Sequence, residues 1–434
     1  MTVAVGKAQP SATRSAPAVE VGTSIELFTG GGGLARAMHE GGFRHLLVNE
    51  LERRCAETLR GNGAVRYHPS QHDPSQHDPG QPEPATLTDP WPLLEGDVRE
   101  IDFRPWAGRV DVVAGGVPCQ PWSLGGAHQG YDDPRNLWPE LFRCVRETRP
   151  RAVIAENVKG LLRPSFKPYY DHILRELAAP FEQRVGGQGW AEHDARLVRA
   201  LRVEGDPTER YDVKYLLVNA ADYGVPQVRW RVFVVAFRRD LGLGEWEFPA
   251  PTHSRDALRQ AQLDGSYWAQ HGLPQNPTRR GVVLGTAVLD AAVRRWRTVR
   301  DAIQDLPEPL GDRDEHPDWL HHYRWPGARQ YPGHTPNDLD RPAKTVKAGV
   351  HGVPGGESVL RLDTGEIRYM TVREVARTMT FPDTWRLVGP RGEQMRQLGN
   401  AVPVRLGLVM SHAVAHALRP TLASATPGVP RGDS

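Results

Sequence analysis

An α/β fold with a mostly parallel sheet and helices on both faces is the architecture this sequence predicts. Three observations carry it. Short apolar strand-like runs alternate with helix-like stretches, a glycine run (Gly30 to Gly33) separates the first strand from the first helix, and an acidic residue, Glu50, ends the second strand. Alternating strands and helices pair in parallel, with the helices covering the sheet. A glycine-rich strand-to-helix turn, with an acidic side chain about 20 residues on, is the pattern of a Rossmann-like nucleoside site.

The elements follow in order. Ser24–Phe28 reads as the first strand, and Leu34–Glu40 as a helix closed by Gly41 and Gly42, since glycine reaches the left-handed conformation that ends helices. His45–Val48 is the second strand, and residues 51–60 form a helix capped near Gly61. Further strands are expected at Val110–Ala114, Ala152–Ala155, Tyr215–Asn219 and Val232–Phe237. Three segments break the rhythm: a Pro-rich stretch at 68–92 with a tandem SQHDP, a polar insert at 180–211, and an irregular block over 241–340. Residues 1–22 and 420–434 read as a disordered leader and tail. The expected division is a catalytic domain over 23–240 and 341–419, with the 241–340 block inserted as a second domain.

Composition narrows the function classes. The chain has 434 residues, a net charge of +2 and three cysteines (Cys55, Cys119 and Cys144). So sparse and odd a set excludes a disulfide framework and fits a reducing cytoplasm. No run approaches the roughly 18 apolar residues of a membrane span. Near-neutral charge argues weakly against nucleic acid, but only six of the 54 basic residues are Lys. Arginine suits bidentate contacts to phosphate and guanine, although a GC-rich genome produces the same bias.

Two segments carry chemistry. Cys119, in Val117-Pro118-Cys119-Gln120-Pro121-Trp122-Ser123, follows the Val110–Ala114 strand and so falls at the carboxyl edge of the sheet, where open α/β sheets bind ligands. A thiol in such a Pro- and Gly-bounded turn is a nucleophile once its pKa is lowered; the alternative is a small buried residue. Glu156-Asn157-Val158 follows the next strand. A carboxyl there can protonate a ring nitrogen if burial raises its pKa; standing alone, it would read as a solvated glutamate. The glycine loop by itself fits a dinucleotide or S-adenosylmethionine equally.

The ordered segments ELFTGGGG (26–33), Asn49-Glu50, Gly96-Asp97-Val98, VPCQPWS (117–123), ENV (156–158), QVRWR (227–231) and RQLGNAVPV (396–404) together resemble the C5-cytosine DNA methyltransferases. The resemblance covers most of 24–240 and 341–415. It implies that Phe28, Gly30, Gly32, Gly33, Glu50, Asp97, Val98, Pro118, Asn400 and Val402 hold S-adenosylmethionine, with no metal. It makes Cys119 the nucleophile and Glu156 the acid, with Arg229 and Arg231 binding the target base and keeping the catalytic groups in register. Gln120, Ser123, Arg135 and Asn157 would contact substrate. Residues 120–138, rich in glycine, would be the loop that closes over a flipped base. The 241–340 block stands where the family keeps its target-recognition domain, with Arg294 and Arg297 as candidate DNA contacts; for any one arginine there, a solvated basic helix is the plainer reading.

The partner implied is double-stranded DNA, acted on by a cytoplasmic monomer that touches no membrane, alongside a separately acting restriction endonuclease. The alternatives are a tRNA cytosine-5 methyltransferase and a non-catalytic DNA-binding member of the family. Trp122-Ser123 and the long inserted block favour DNA over tRNA. The presence of Cys119, Glu156, Arg229, Arg231 and Asn400 favours an enzyme. His72 and His77 of the SQHDP repeat invite a metal reading, but their proline-rich surroundings favour a flexible excursion.

Overall fold

The computed structural model describes residues 19–67, 85–118, 135–275, 293–330, 335–348 and 358–423. Eight strands form one sheet: β1 (Gly22–Leu27), β2 (Phe43–Glu50), β3 (Val65–Arg66), β4 (Pro92–Glu95), β5 (Val112–Gly116), β6 (Ala152–Val158), β7 (Tyr211–Asn219) and β8 (Trp230–Arg238). Their spatial order is β3-β4-β2-β1-β5-β6-β8-β7. Pairings from β3 through β6 are parallel, and β8 runs antiparallel to both β6 and β7. All six strands expected from the sequence are present. Successive strands leave β1 in opposite directions, β2 to one side and β5 to the other. The carboxyl ends of β1 and β5 therefore flank a topological switch point, the place where such sheets open a crevice.

The central strands are apolar throughout because both faces are covered. Val113, Val153 and Ala155 pack with Trp138, Phe142, Tyr170 and Ile173, from α3 (Trp138–Thr148) and α4 (Lys167–Ala178). Val112, Ala114 and Ile154 point the other way, to Leu34, Met38, Leu406, Met410 and Val414. Those side chains come from α1 (Gly33–Glu40) and from a C-terminal helix, Val404–Ala423. The stretch from Arg391 to Arg419 has the length and hydropathy of a membrane span, but most of its apolar window is buried inside the fold, as expected of a core helix.

Two interruptions look different in three dimensions. Pro92 opens β4, inside the sheet, so the proline-rich excursion ends sooner than the sequence suggested; proline is tolerated at the first residue of a strand. The polar insert holds a helix of its own, Trp190–Ala200, laid against α4. The helix over 51–60 is α2 (Arg53–Gly61), and the insert helix is α5.

A further core joins Val299, Ile303, Leu339 and Val346 to Leu360, Val372, Met379, Trp385 and Leu398, so its packing runs across position 340. The expected leader (1–22) and tail (420–434) are each shorter than the sequence suggested, since β1 begins at Gly22 and the last helix runs to Ala423; residues 1–18, the SQHDP repeat with His72 and His77, and those beyond 423 lie outside the described residues.

Glu26 on β1 is buried, and one of its carboxylate oxygens has no hydrogen-bond partner. Burial pushes its pKa well above 4.5, against a smaller opposing effect of the Ala35 backbone N–H. A carboxyl raised in the folded state costs stability as pH climbs from its unfolded pKa toward its folded one. Glu26→Gln is therefore expected to raise the melting temperature at neutral pH. The gain should shrink to nothing as the buffer approaches pH 4.5, and melting curves across pH check it. An equal gain at every pH would remove ionisation as the cause.

Candidate active site

The crevice at the switch point is built first by the turn after β1. Phe28 and Gly30 both adopt positive φ, 58° and 57°, and the turn is pinned where Thr29 N–H donates to the Asn49 carbonyl at 3.0 Å. Among the described residues, a Cβ on Gly30 would meet nothing within 4 Å, so this backbone borders space they leave open. Gly32 and Gly33 do not. A Cβ on Gly32 would come within 2.6 Å of the Trp385 ring, and one on Gly33 within 2.2 Å of the Val402 carbonyl. Their missing side chains let the chain returning at 385–402 pack onto α1.

Glu50 closes one side. Its two carboxylate oxygens accept from Gly30 N–H at 2.6 Å and Glu52 N–H at 2.7 Å. Burial raises its pKa, opposed by these same amides. Asp97 caps the short turn after Gly96, accepting from Arg99 N–H at 3.0 Å. Val98 is buried beside it. Asn49, not singled out beforehand, holds this turn by donating to the Leu94 and Gly96 carbonyls at 3.2 and 3.0 Å.

The chemistry-bearing edge comes next. Gly116, last in β5, pairs with Glu156 on β6, and Pro118 is described at intermediate burial. Cys119, Gln120 and Ser123, with most of the 120–138 loop, lie outside the described residues. Glu156 is buried and ion-paired, with its Oε1 2.7 Å from Arg231 Nε. The antiparallel register accounts for the pair. Glu156 opposes Phe233, and Arg231 lies two residues back on the same face, within reach of a diagonal contact. Burial raises the Glu156 pKa, while Arg231 and, less, Arg229 pull it down; the net direction is up.

Two expected contact residues turn inward. Asn157 is buried, donating to the Val117 carbonyl at 3.2 Å while its side-chain oxygen accepts from Val158 N–H at 2.7 Å. It thus ties the end of β6 to the segment that leads out of β5. Arg229 is fully buried and donates to the carbonyls of Val346 (2.8 Å), Gly399 (2.6 Å) and Ala401 (3.0 Å). Its guanidinium is engaged with backbone of the returning chain, an arrangement that suits the expected part of keeping the site in register.

Val402 is likewise buried, while Asn400 is exposed at the end of the Arg391–Asn400 helix. Arg135 is exposed just ahead of α3.

In the inserted block, Arg295 pairs with Asp301 and Arg300 with Asp340 and Asp363. Arg294 is exposed and Arg297 half-buried. Burial and the positive fields of Arg297 and Arg294 lower the Arg405 pKa, so the three form a cationic cluster. Sequence reasoning missed three contributors. Arg405 is one. Trp385 donates from Nε1 to the Gly31 carbonyl at 3.1 Å. Trp230 is exposed beside Arg231, with Lys159 Nζ 5.3 Å from its ring centre. No local pattern marks a tryptophan that contacts a loop 354 residues away.

Comparison with known proteins follows the same outline. A family model described as C-5 cytosine-specific DNA methylase matches residues 84–179 and 204–415. The chain is 29% identical over 402 residues to the Type II methyltransferase M.Eco47II of Escherichia coli, covering 91% of this chain and 79% of that protein. It is 28% identical to M.NgoMIV of Neisseria gonorrhoeae, covering 92% and 98%. Over 72% of this chain and 73% of the relative, it is 32% identical to M.SacI of Streptomyces achromogenes. Among solved structures, a mutant of Spodoptera frugiperda DNMT2 superposes with a TM-score of 0.51 at 15% identity, covering 91% and 99%. The Entamoeba histolytica methyltransferase EhMeth superposes at 0.50 and 12%, covering 92% and 98%. These last two are likenesses of fold.

Proposed function

We propose, for a chain that belongs to the C-5 cytosine-specific DNA methylase family, that it methylates C5 of cytosine in double-stranded DNA through a covalent bond from Cys119. The observation that carries this reading is the buried Glu156–Arg231 pair, set in register with the strand that leads into Pro118 and Cys119. S-adenosylmethionine use is implied by the family. The residues fit it: open backbone at Gly30 beside the Glu50 carboxylate makes a cradle that a Cβ would fill. Phe28, Asp97 and Val98 line the same crevice in this reading, and Asn400 faces it from the returning chain. When bound, the cofactor supplies an electrophilic methyl group on a sulfonium.

The chain's own residues make C5 reactive. Cys119 thiolate adds to C6 of a base turned out of the helix, and Glu156 donates its proton to N3, so the ring electrons are released toward C5. Arg231 holds the Glu156 carboxyl in place. After methyl transfer, a base takes the C5 proton, the Cys119–C6 bond breaks with its electron pair returning to the thiolate, and N3 gives its proton back to the Glu156 carboxylate, restoring ring and chain. Base extrusion requires strand contacts; Arg135, Gln120 and Ser123 are assigned to them, and Arg294 and Arg297 to the recognition surface. A monomer acting in the cytoplasm, paired with a separately acting restriction endonuclease, suits relatives named as Type II methyltransferases.

Transfer of tritiated methyl from S-adenosylmethionine to duplex DNA tests the reading. Label entering tRNA but not DNA would overturn it. Glu156→Gln is expected to lower kcat by roughly 10²–10⁴-fold with DNA binding kept. Because the folded pKa of Glu156 is raised, its proton persists above the ordinary carboxyl range and is lost as pH rises further. The wild-type rate should therefore fall on the alkaline side, and the glutamine variant should lack that limb. A shared alkaline limb would assign it to another group.

A further inference from the structure

The insert between α4 and β7 has a function of its own to explain. The family model passes over residues 180–203, the segment that supplies α5 and with it His193. On α4, His172 and Glu176 stand four residues apart and so share one helix face. All three side chains are buried, and one nitrogen from each ring and one carboxylate oxygen lie within 4.8 Å of one another.

The hydrogen bonds around this trio determine which atoms face inward. His172 Nδ1 lies 3.1 Å from Asp194 Oδ1, a carboxylate that accepts, so this nitrogen carries the proton. Asp194 is itself held by Arg175 at 2.8 and 2.9 Å. His193 Nε2 lies 2.5 Å from the Glu182 carbonyl, which can only accept, so it too carries the proton. That leaves His193 Nδ1 as a lone pair, and among the described residues neither it nor Glu176 Oε2 has a hydrogen-bond partner. His172 Nε2 is 3.3 Å from Glu176 Oε2. Arg146, whose positive field reaches Glu176, donates instead to the Pro180 carbonyl.

Acceptors converging in a buried space repel one another unless a cation sits among them. We propose that His172, Glu176 and His193 form a divalent transition-metal site of the zinc class that clips α5 onto α4. Two imidazoles and one carboxylate are a ligand set zinc takes, at about 2.0–2.1 Å in a tetrahedron. That geometry puts neighbouring ligand atoms about 3.3 Å apart, the separation found between His172 and Glu176. The outer contacts fit as well, because a metal-bound histidine gives its other N–H to a carboxylate or a backbone carbonyl; Asp194 and Glu182 fill those places. Burial excludes substrate, so the role is structural, with a water completing the coordination. The site departs from the expectation of a metal-free chain, and nothing in the methyl-transfer reading depends on it.

Elemental analysis of tag-free full-length protein is expected to find about one zinc per chain. Stripping with a chelator should lower the melting temperature, and added zinc should restore it. Cobalt added to the stripped protein should give the intense visible band of a four-coordinate site. Asp194→Asn is expected to weaken zinc affinity roughly 10–100-fold. His193→Ala should lose the cobalt band, and His193→Cys, which keeps a ligand, should retain it with a thiolate charge-transfer feature; the cysteine variant decides the matter if the alanine variant does not fold. A purified chain without metal, whose melting curve and spectrum ignore both zinc and cobalt, would overturn the proposal in favour of a protonated His172 bridging Glu176 and Asp194. Undiminished binding in folded His193→Ala would overturn it too, assigning the metal to other histidines.

Discussion

Cys119→Ala is expected to abolish methyl transfer to DNA, a loss of roughly 10⁴-fold or more in kcat, while S-adenosylmethionine still binds. C5 of cytosine is too weak a nucleophile to take a methyl group until C6 has been attacked, so no neighbouring group substitutes for the thiolate. The other two cysteines are controls supplied by the fold. Cys55 and Cys144 are buried, and burial, the largest influence on each, pushes both thiols far above the ordinary range. They stay protonated, and alanine at either is expected to leave the chemistry intact. Duplex DNA containing 5-fluorocytosine should trap a covalent complex with the wild-type chain and none with Cys119→Ala. Turnover surviving in that variant would sink the covalent mechanism, and DNA binding without any methylation by the wild type would make the protein a binding module.

Arg229→Met is expected to destabilise the fold by about 3 kcal/mol and to lower activity through that loosening. The substitution preserves apolar bulk but leaves the carbonyls of Val346, Gly399 and Ala401 without their donor. Each buried acceptor left unpaired costs about 1–3 kcal/mol. Some of this is recovered, because burial makes the guanidinium expensive to keep charged and drives its pKa well down. Arg229→Lys should rescue only part, since one ammonium cannot reach three carbonyls on two segments. Urea unfolding checks the stability, and KM for S-adenosylmethionine should rise as the 399–402 segment slackens. Full stability with kcat alone reduced would return Arg229 to a direct role at the base.

How far the site was legible depended on how local each signal is. Glu156 and Arg231 stood out in the sequence because each sits in a short motif of consecutive residues, ENV and QVRWR. Glu50 was readable because its spacing from the glycine turn is set by one helix and one strand. For Arg229 the local signal ends at the motif it shares with Arg231: nothing local says that its side chain crosses into the core to hold a segment 170 residues away. The inward bond of Asn157 was hidden for a similar reason, since its contact with Val117 exists only once β5 and β6 lie side by side. Gly32 and Gly33 read as cofactor glycines, yet Trp385 and the Val402 carbonyl leave no room there for a side chain.

By itself the sequence determined the α/β class, six strands of the sheet and the family, because these rest on periodicity and on short motifs whose meaning is local. Tertiary structure alone decided that β8 runs backwards against β6, which brings Arg231 onto Glu156 and buries the acid. It decided which arginine clamps and which pairs with the carboxylate, and it turned the polar insert into a helix that sets His193 against His172 and Glu176. The physical reason is common to all of these: each depends on long-range packing that excludes water, and neither burial nor the pairing it enforces is written in a stretch of neighbouring residues.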